Sequence, residues 1–275
     1  MRIILLLLTL NFPNTPLLAV DDIKECEDEK VTNNTFEAGE KVSYKVYYNW
    51  NSIWVGAGEV KFRVKPKWRN DKKHYHFKAT GKTYRRYDWF YKVRDTYESI
   101  VDPQTVMPVY YKRDVYEGGY TINNEFYYNR KQDTIIAHQQ NWKTDHHVDT
   151  VGVSECTQDV LSAIYYSRCI DYSQYEPNDT IPLNIFLDNK EYSIYIRYLG
   201  RERIEVKGDK YATIKFSPLL IEGTIFEEGE GMTVWVTDDK NKIPVLVKSP
   251  IVVGSVKAVL KDYKGIKHEF SAKLN

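Results

Sequence analysis

Cysteine and methionine are scarce in this sequence, three of each among 275 residues, and no long apolar run follows the first ten positions. No later stretch approaches the roughly 20 apolar residues that a membrane-spanning helix needs. No span is therefore expected in the mature chain. There is no C-x-x-C pair, which leaves out zinc knuckles and dithiol redox sites. A glycine-rich phosphate loop, a G-x-S-x-G elbow and an H-E-x-x-H helix are also missing, so the common signatures of nucleotide, acyl-transfer and zinc-hydrolase chemistry are not met. Neither sign of charge is in excess: 39 Lys and Arg face 38 Asp and Glu. Such a balance gives no field to recruit nucleic acid.

The first residues read as an export signal. Arg2 precedes the apolar run Ile3 to Leu10, and small Ala19 offers a cleavage point after a turn-prone stretch. That order of charge, apolar core and small residue is the pattern of a secretory leader. We assign residues 1–19 to the leader and expect a periplasmic or otherwise exported protein. Export would place Cys26, Cys156 and Cys169 where disulfides persist. A helix between Cys156 and Cys169 would separate them by about 20 Å, against the limit of about 7 Å for a bridge. Any bridge must then join Cys26 to one of the two.

Tyrosine is abundant, with 23 copies beside 6 Trp and 10 Phe. Such residues suit half-buried pleated surfaces. Val42, Tyr44, Val46, Tyr48 and Trp50 alternate with Ser43, Lys45, Tyr47 and Asn49. In EVKFRVK, Val60, Phe62 and Val64 alternate with charges. Alternation of this kind marks antiparallel strands with one buried face. Turn residues at Glu117-Gly118-Gly119, Asp188-Asn189-Lys190, Gly208-Asp209 and Asp239-Lys240-Asn241 close successive hairpins. Roughly a dozen strands result, a number that must curl, split or close to hide its edges. The expected fold is mainly β: a large antiparallel curved sheet or partly closed barrel. After an N-terminal segment, 20–35, a single domain spans 36–275.

One segment departs from the β rhythm. In CTQDVLSAIYYSRC, Ser154 or Thr157 can cap a helix, Asp159 falls in the first turn and Arg168 in the last, each where the helix dipole favours its charge. Val160, Leu161, Ile164 and Tyr165 form an apolar stripe. The pattern predicts one helix over 157–168, sealing the open side of the sheet.

This helix, the strand pair RERIEVKGDKYATIKF and the stretch GMTVWVTDDKNKIPVLVKSPIVVGSVKAVL together resemble the domain of unknown function 3108 family of exported bacterial proteins, over about residues 36–264. Matching positions are Asp159, Leu161, Ser162, Ala163, Tyr165, Tyr166, Arg168, Trp235, Thr237, Asp238, Pro244, Gly254 and Ser255. The resemblance implies an envelope β protein akin to the curved half-barrels of lipoprotein carriers. It brings no catalytic residues.

Chemistry-bearing clusters are few. In DHHVD, His146 and His147 are adjacent and point to opposite sides of an extended chain, a poor arrangement for sharing one metal. His74 and His76 share a strand face opposite Tyr75, Phe77 and Ala79, and would need a further ligand from another strand. We expect no catalytic residue, no metal site and no cofactor. The leading expectation is a non-enzymatic cell-envelope protein that binds or carries a hydrophobic ligand, such as a lipid or lipoprotein fragment, in a curved sheet. A glycan-binding protein with Tyr and Trp stacked on sugar rings is the alternative, and a metal-dependent hydrolase the third reading. Asp159, Tyr166, Arg168 and Trp235 are the candidate ligand-binding residues. The competing role is anchoring of the helix by Asp159 and Arg168, with Trp235 in the core.

Overall fold

Alternating residues become strands wherever one of their two sides can be buried, and here they do so almost without interruption. The computed structural model describes residues 31–50, 53–221, 229–251 and 254–274. The leader expected at 1–19 and the expected pairing of Cys26 lie outside the described residues. The first half is a meander of β1 (Lys41–Trp50), β2 (Ile53–Arg69), β3 (Lys72–Thr83), β4 (Arg94–Val101), β5 (Pro108–Glu117), β6 (Tyr120–Asn129), β7 (Thr134–Asn141) and β8 (His147–Gly152). The one α-helix among the described residues, α1 (Val160–Cys169), follows. The second half is β9 (Thr180–Leu187), β10 (Lys190–Val206), β11 (Asp209–Pro218), β12 (Thr233–Thr237), β13 (Pro244–Pro250), β14 (Ser255–Lys264) and the short β15 (Lys273–Leu274).

These strands form one 15-stranded antiparallel sheet in the order β8-β7-β6-β5-β4-β3-β2-β1-β14-β13-β12-β11-β10-β9, with β15 beside β11. The two meanders meet where β1 pairs with β14, Tyr47 opposite Lys257. The mainly β, curved-sheet expectation holds, and the sheet is not closed: β8 and β9 remain its edges.

An exposed edge is a template for further pairing, and the segment after β8 deals with it. Gln158 bridges in parallel to Ile185, its N–H donating to the Asn184 carbonyl at 2.8 Å while the Phe186 N–H donates to its own carbonyl at 2.9 Å. Asn189 at the β9–β10 turn donates to Asp149 of β8 at 2.9 Å, and Glu191 accepts from Ser154 N–H at 3.0 Å and from the Thr157 hydroxyl. Side chains and one linker thus join edges that no ladder connects.

Because Gln158 is held extended, α1 starts later than 157, and its N-cap is Asp159 rather than Ser154 or Thr157. The Asp159 carboxylate accepts from the Leu161 and Ser162 N–H groups at 2.8 and 2.7 Å, while the Ser162 hydroxyl accepts from the Asp159 N–H at 2.9 Å, a reciprocal capping box. The buried face also differs from the expected stripe. Leu161, Ser162, Tyr165, Tyr166 and Arg168 are buried, whereas Ile164 is 40% exposed. The row Leu161, Tyr165 and Arg168 faces the sheet, which leaves Ile164 outward.

Tyr165 carries most of the packing. Its ring stacks on Phe77 at 3.9 Å between centroids and meets Phe36 edge-on at 4.9 Å, in a core that reaches from β2 to β12. At the other end of the helix Arg168 is also inside. Its guanidinium binds the Glu40 carboxylate in bidentate fashion at 2.7 and 2.8 Å and donates to the Asn241 carbonyl at 2.9 Å. One side chain therefore connects α1, the start of β1 and the β12–β13 turn.

Removing one partner of a buried bidentate pair strands the other charge, which costs about 3–5 kcal/mol. Arg168→Met should lose about that much in equilibrium urea unfolding. The Glu40→Gln/Arg168→Met double variant should lose less than the two single losses added together, and strict additivity would show that the two side chains do not act as a pair.

Candidate functional site

The four residues singled out from sequence do not form one surface. Asp159 is wholly buried; besides capping α1, its second carboxylate oxygen accepts from the Ser99 hydroxyl at 2.6 Å. Burial pushes its pKa up to about 6, and the Ser99 and Ser162 hydrogen bonds hold it from rising further. Arg168 is consumed by Glu40 and Asn241, and Tyr166 is 8% exposed on the same helix. Trp235 lies elsewhere, in a smaller cluster with Tyr211, Leu246 and Val259. Its indole N–H donates to Glu202, and Lys215 and Lys248 lie 5.4 Å from its ring centroid. The geometry of all four is that of anchors and packing.

The histidines behave as their strand positions require. His76 meets Glu98 at 2.8 Å, His146 turns to His138 at 3.3 Å, and His147 turns the other way, to Asp149 at 3.7 Å. Among the described residues, no group of three or more His, Cys, Asp and Glu is placed to hold a metal. Cys156 is disulfide-bonded, and Cys169 is a free thiol whose pKa burial pushes up to about 11. That shift keeps it protonated and unreactive.

Two features stand out that the sequence reading missed. Toward one end of the concave face lies a group of buried and half-buried polar side chains. Asp95 on β4 accepts from the Tyr116 N–H at 3.2 Å, and Arg113 on β5 reaches across to Asp188 at 2.6 Å. Among the described residues, the Arg113 Nε and the Gln139 amide nitrogen find no hydrogen-bond partner, nor does the buried Tyr111 hydroxyl farther in; the unpartnered Tyr128 hydroxyl lies toward the other end of β6. Burial, and the negative charge of neighbouring Glu117, raise the Asp95 pKa to about 7. A carboxyl so held exchanges its proton near neutrality.

The second feature is the rim just beyond. Since the strands alternate in direction, the connections β1–β2, β3–β4, β5–β6 and β7–β8 all lie at one end of the sheet. That end carries most of the exposed large apolar side chains: Ile53, Trp54 and Val55 on the first, Trp89 (84% exposed) and Phe90 on the second, Tyr116 and Tyr120 on the third, and Trp142 on the fourth. Trp142 packs on Tyr120 at 4.9 Å. Basic groups lie among them: Arg86 over the Tyr84 and Tyr87 rings, Lys92 over Tyr116, Lys143 over Trp142 and Lys257 over Trp54 at 4.1 Å. The signal was present in the chain, for Ile53-Trp54-Val55 and Trp89-Phe90-Tyr91 stand beside turns where polar residues are normal, and runs of exposed apolar residues are costly unless used.

With the fold and these surfaces in view, relationships follow. The chain matches the family model described as Protein of unknown function (DUF3108) over residues 43–261. It belongs to that family. The matched span takes in α1, Trp235 and both surfaces just described. Among solved structures, the DUF3108 chain is similar to a Brucella abortus protein described as a beta-barrel-like protein of domain of unknown function DUF1849. Identity is 7% and the TM-score 0.51, with 85% of this chain and 97% of that one covered. At that identity the likeness is one of fold: a sheet curled toward a barrel. No curated protein matches the chain.

The raised pKa of Asp95 fixes the sign of a pH effect. Between an ordinary carboxylate pKa and about 7, the folded state holds a proton that the unfolded chain has lost, so stability falls as pH rises through that window. Asp95→Asn stays neutral throughout. It should flatten the stability–pH profile and be more stable than the parent at about pH 8, by about 1 kcal/mol after allowance for solvent screening of a partly exposed group. Urea unfolding across the window measures both.

Proposed function

We propose that this DUF3108 protein is exported and acts in the cell envelope without catalysis, as a lipid-binding protein whose contact surface is the aromatic rim. One observation carries the reading: exposed aromatic and aliphatic side chains gather at one end of the sheet, interleaved with Lys and Arg. Aromatic rings with a wet edge suit the boundary between lipid tails and headgroups, and cations among them suit anionic headgroups. Patches of this kind on a folded protein mark interaction sites. Support for export comes from the leader-like first residues and from the disulfide at Cys156, a bond that lasts in oxidising compartments.

Carriage inside the sheet has less in its favour. The concave side is occupied by α1 and by the rings of Phe36, Phe77, Tyr111, Phe126 and Tyr165, all essentially unexposed. Lipid would therefore be met at the rim, by side chains already in the open, and α1 need not be displaced.

Flotation of the mature protein with phosphatidylglycerol-containing vesicles tests the reading. The wild type should float with the vesicles, and Trp89→Ala/Phe90→Ala should bind at least about tenfold more weakly, the effect of about 1.4 kcal/mol, with unchanged melting because both rings are already exposed. A wild type that stays at the bottom of the gradient, or a double variant that floats equally well, overturns it. Binding to a glycan array with no flotation would favour the sugar-stacking alternative.

A further inference from the structure

Beside the rim, on the outer face of the sheet, three lysines gather around the Tyr47 and Trp54 rings, none of them within ion-pair distance of a carboxylate among the described residues. Lys248 on β13 and Lys257 on β14 stand directly opposite each other, and Lys257 stands opposite Tyr47 of β1 on its other side. Like charges in facing positions destabilise a sheet. The Lys257 ammonium lies 4.1 Å from the Trp54 ring centroid and 5.3 Å from that of Tyr47. From the opposite flank Lys45 reaches over the same Tyr47 ring, at 4.9 Å.

Room for Lys45 is made by the absence of a side chain at Gly56, where an added Cβ would come within 2.9 Å of the lysine Cε. Two carboxylates stand nearby, Glu59 opposite Lys45 in the strand register and Glu202, whose pKa Lys248 helps to lower, but their ion pairs are made with other lysines. Glu59 binds Lys61 and Lys82 at 3.1 Å each, and Glu202 binds Lys215 at 3.3 Å together with the Trp235 indole. Among the described residues, Lys45, Lys248 and Lys257 take part in no ion pair. Burial, and to a smaller extent the facing Lys248, hold the pKa of Lys257 below the ordinary lysine value.

We propose that Lys45, Lys248 and Lys257, with Trp54 and Tyr47 as walls, form a binding site for a phosphate-bearing anion. A dianionic oxygen cluster is what three ammonium groups on rigid strands would hold: as point charges they need no fixed bonding fork, and the rings limit how far each can turn away. In the lipid reading the phosphate is that of a headgroup, seated on the outer face while the rim meets the apolar layer. The site itself does not depend on that source, because free phosphate presents the same oxygens.

Two variants, Lys257→Gln and Lys248→Gln, test the site. Without ligand each should melt at the parental temperature or about 1–3 °C above it, since a facing like charge is gone. Inorganic pyrophosphate should raise the melting temperature of the wild type above that in sodium chloride of equal ionic strength, and each variant should bind it about fivefold or more weakly, the effect of about 1 kcal/mol. Destabilised apo variants, or pyrophosphate shifts no larger than those of chloride, overturn the site. Vesicle flotation separates the sources: loss of phosphatidylglycerol binding in the lysine variants places the phosphate on lipid, whereas pyrophosphate binding without any flotation keeps the site and removes the lipid reading. Flotation that is unchanged in both variants, with no pyrophosphate effect, removes the site and leaves the lipid reading standing.

Discussion

The helix α1 packs on the concave side of a very wide sheet, and two buried charges fix where it sits. Asp159 closes its first turn and binds Ser99 of β4; Arg168 closes its last turn and binds Glu40, next to β1, and Asn241 in the β12–β13 turn. Each charge is also on the end that the helix dipole favours. Desolvating such groups is costly, and the cost is offset only when every donor and acceptor is met. The contacts that meet them come from strands distant in sequence, so the helix cannot be satisfied until both meanders have formed. Curvature of the sheet, closure of the core around Tyr165 and joining of the edges through Gln158 follow from that one placement.

Much of this architecture was legible. Period-two alternation located β1 and β2 and their buried side at Val42, Tyr44 and Val64, but a bulge between Val46 and Tyr47 breaks the alternation farther along β1, and Tyr47 packs beside Trp235 and Leu246. The turn residues at 117–119, 188–190 and 208–209 ended strands where expected, since left-handed backbone falls at Gly118, Asp188, Asn189 and Gly208. The helix was legible too, but its register was not. Its cap and its buried face depend on Gln158 being held against β9, a contact between segments 26 residues apart that local periodicity does not encode. Ile164, read as part of the apolar stripe, is surface, while Arg168, read as a candidate ligand-binding residue with anchoring as its competing role, is buried against Glu40.

The surfaces were harder to read. The DHHVD stretch looks like chemistry, yet it resolves into the turn before β8 and the start of that strand, His146 toward His138 and His147 toward Asp149. What a pattern cannot supply is the parity of the meander, which brings four separate connections to one end. Trp54, Trp89, Tyr120 and Trp142 are spread over nearly ninety residues of chain and share a rim only after folding. Lys248 and Lys257 are likewise separated by a turn and become neighbours through the register of β13 and β14.

The two halves of the sheet consequently face different demands. On the inside, charges are buried with partners: Arg168 with Glu40, Arg113 with Asp188. Outside, the sheet tolerates arrangements that folding alone would disfavour: bare aromatic tips, and lysines opposed across strands with no acid between them. Selection for stability would remove both at little structural cost, since none of these side chains supports the core and surface changes away from such features are nearly neutral. Sites that violate the rules of folding while being easy to repair are where function is to be sought. Here the violations are contiguous, running from Trp89 across Trp54 to Lys257 and Lys248, and their chemistry is of one kind: flat apolar rings beside unpaired positive charge.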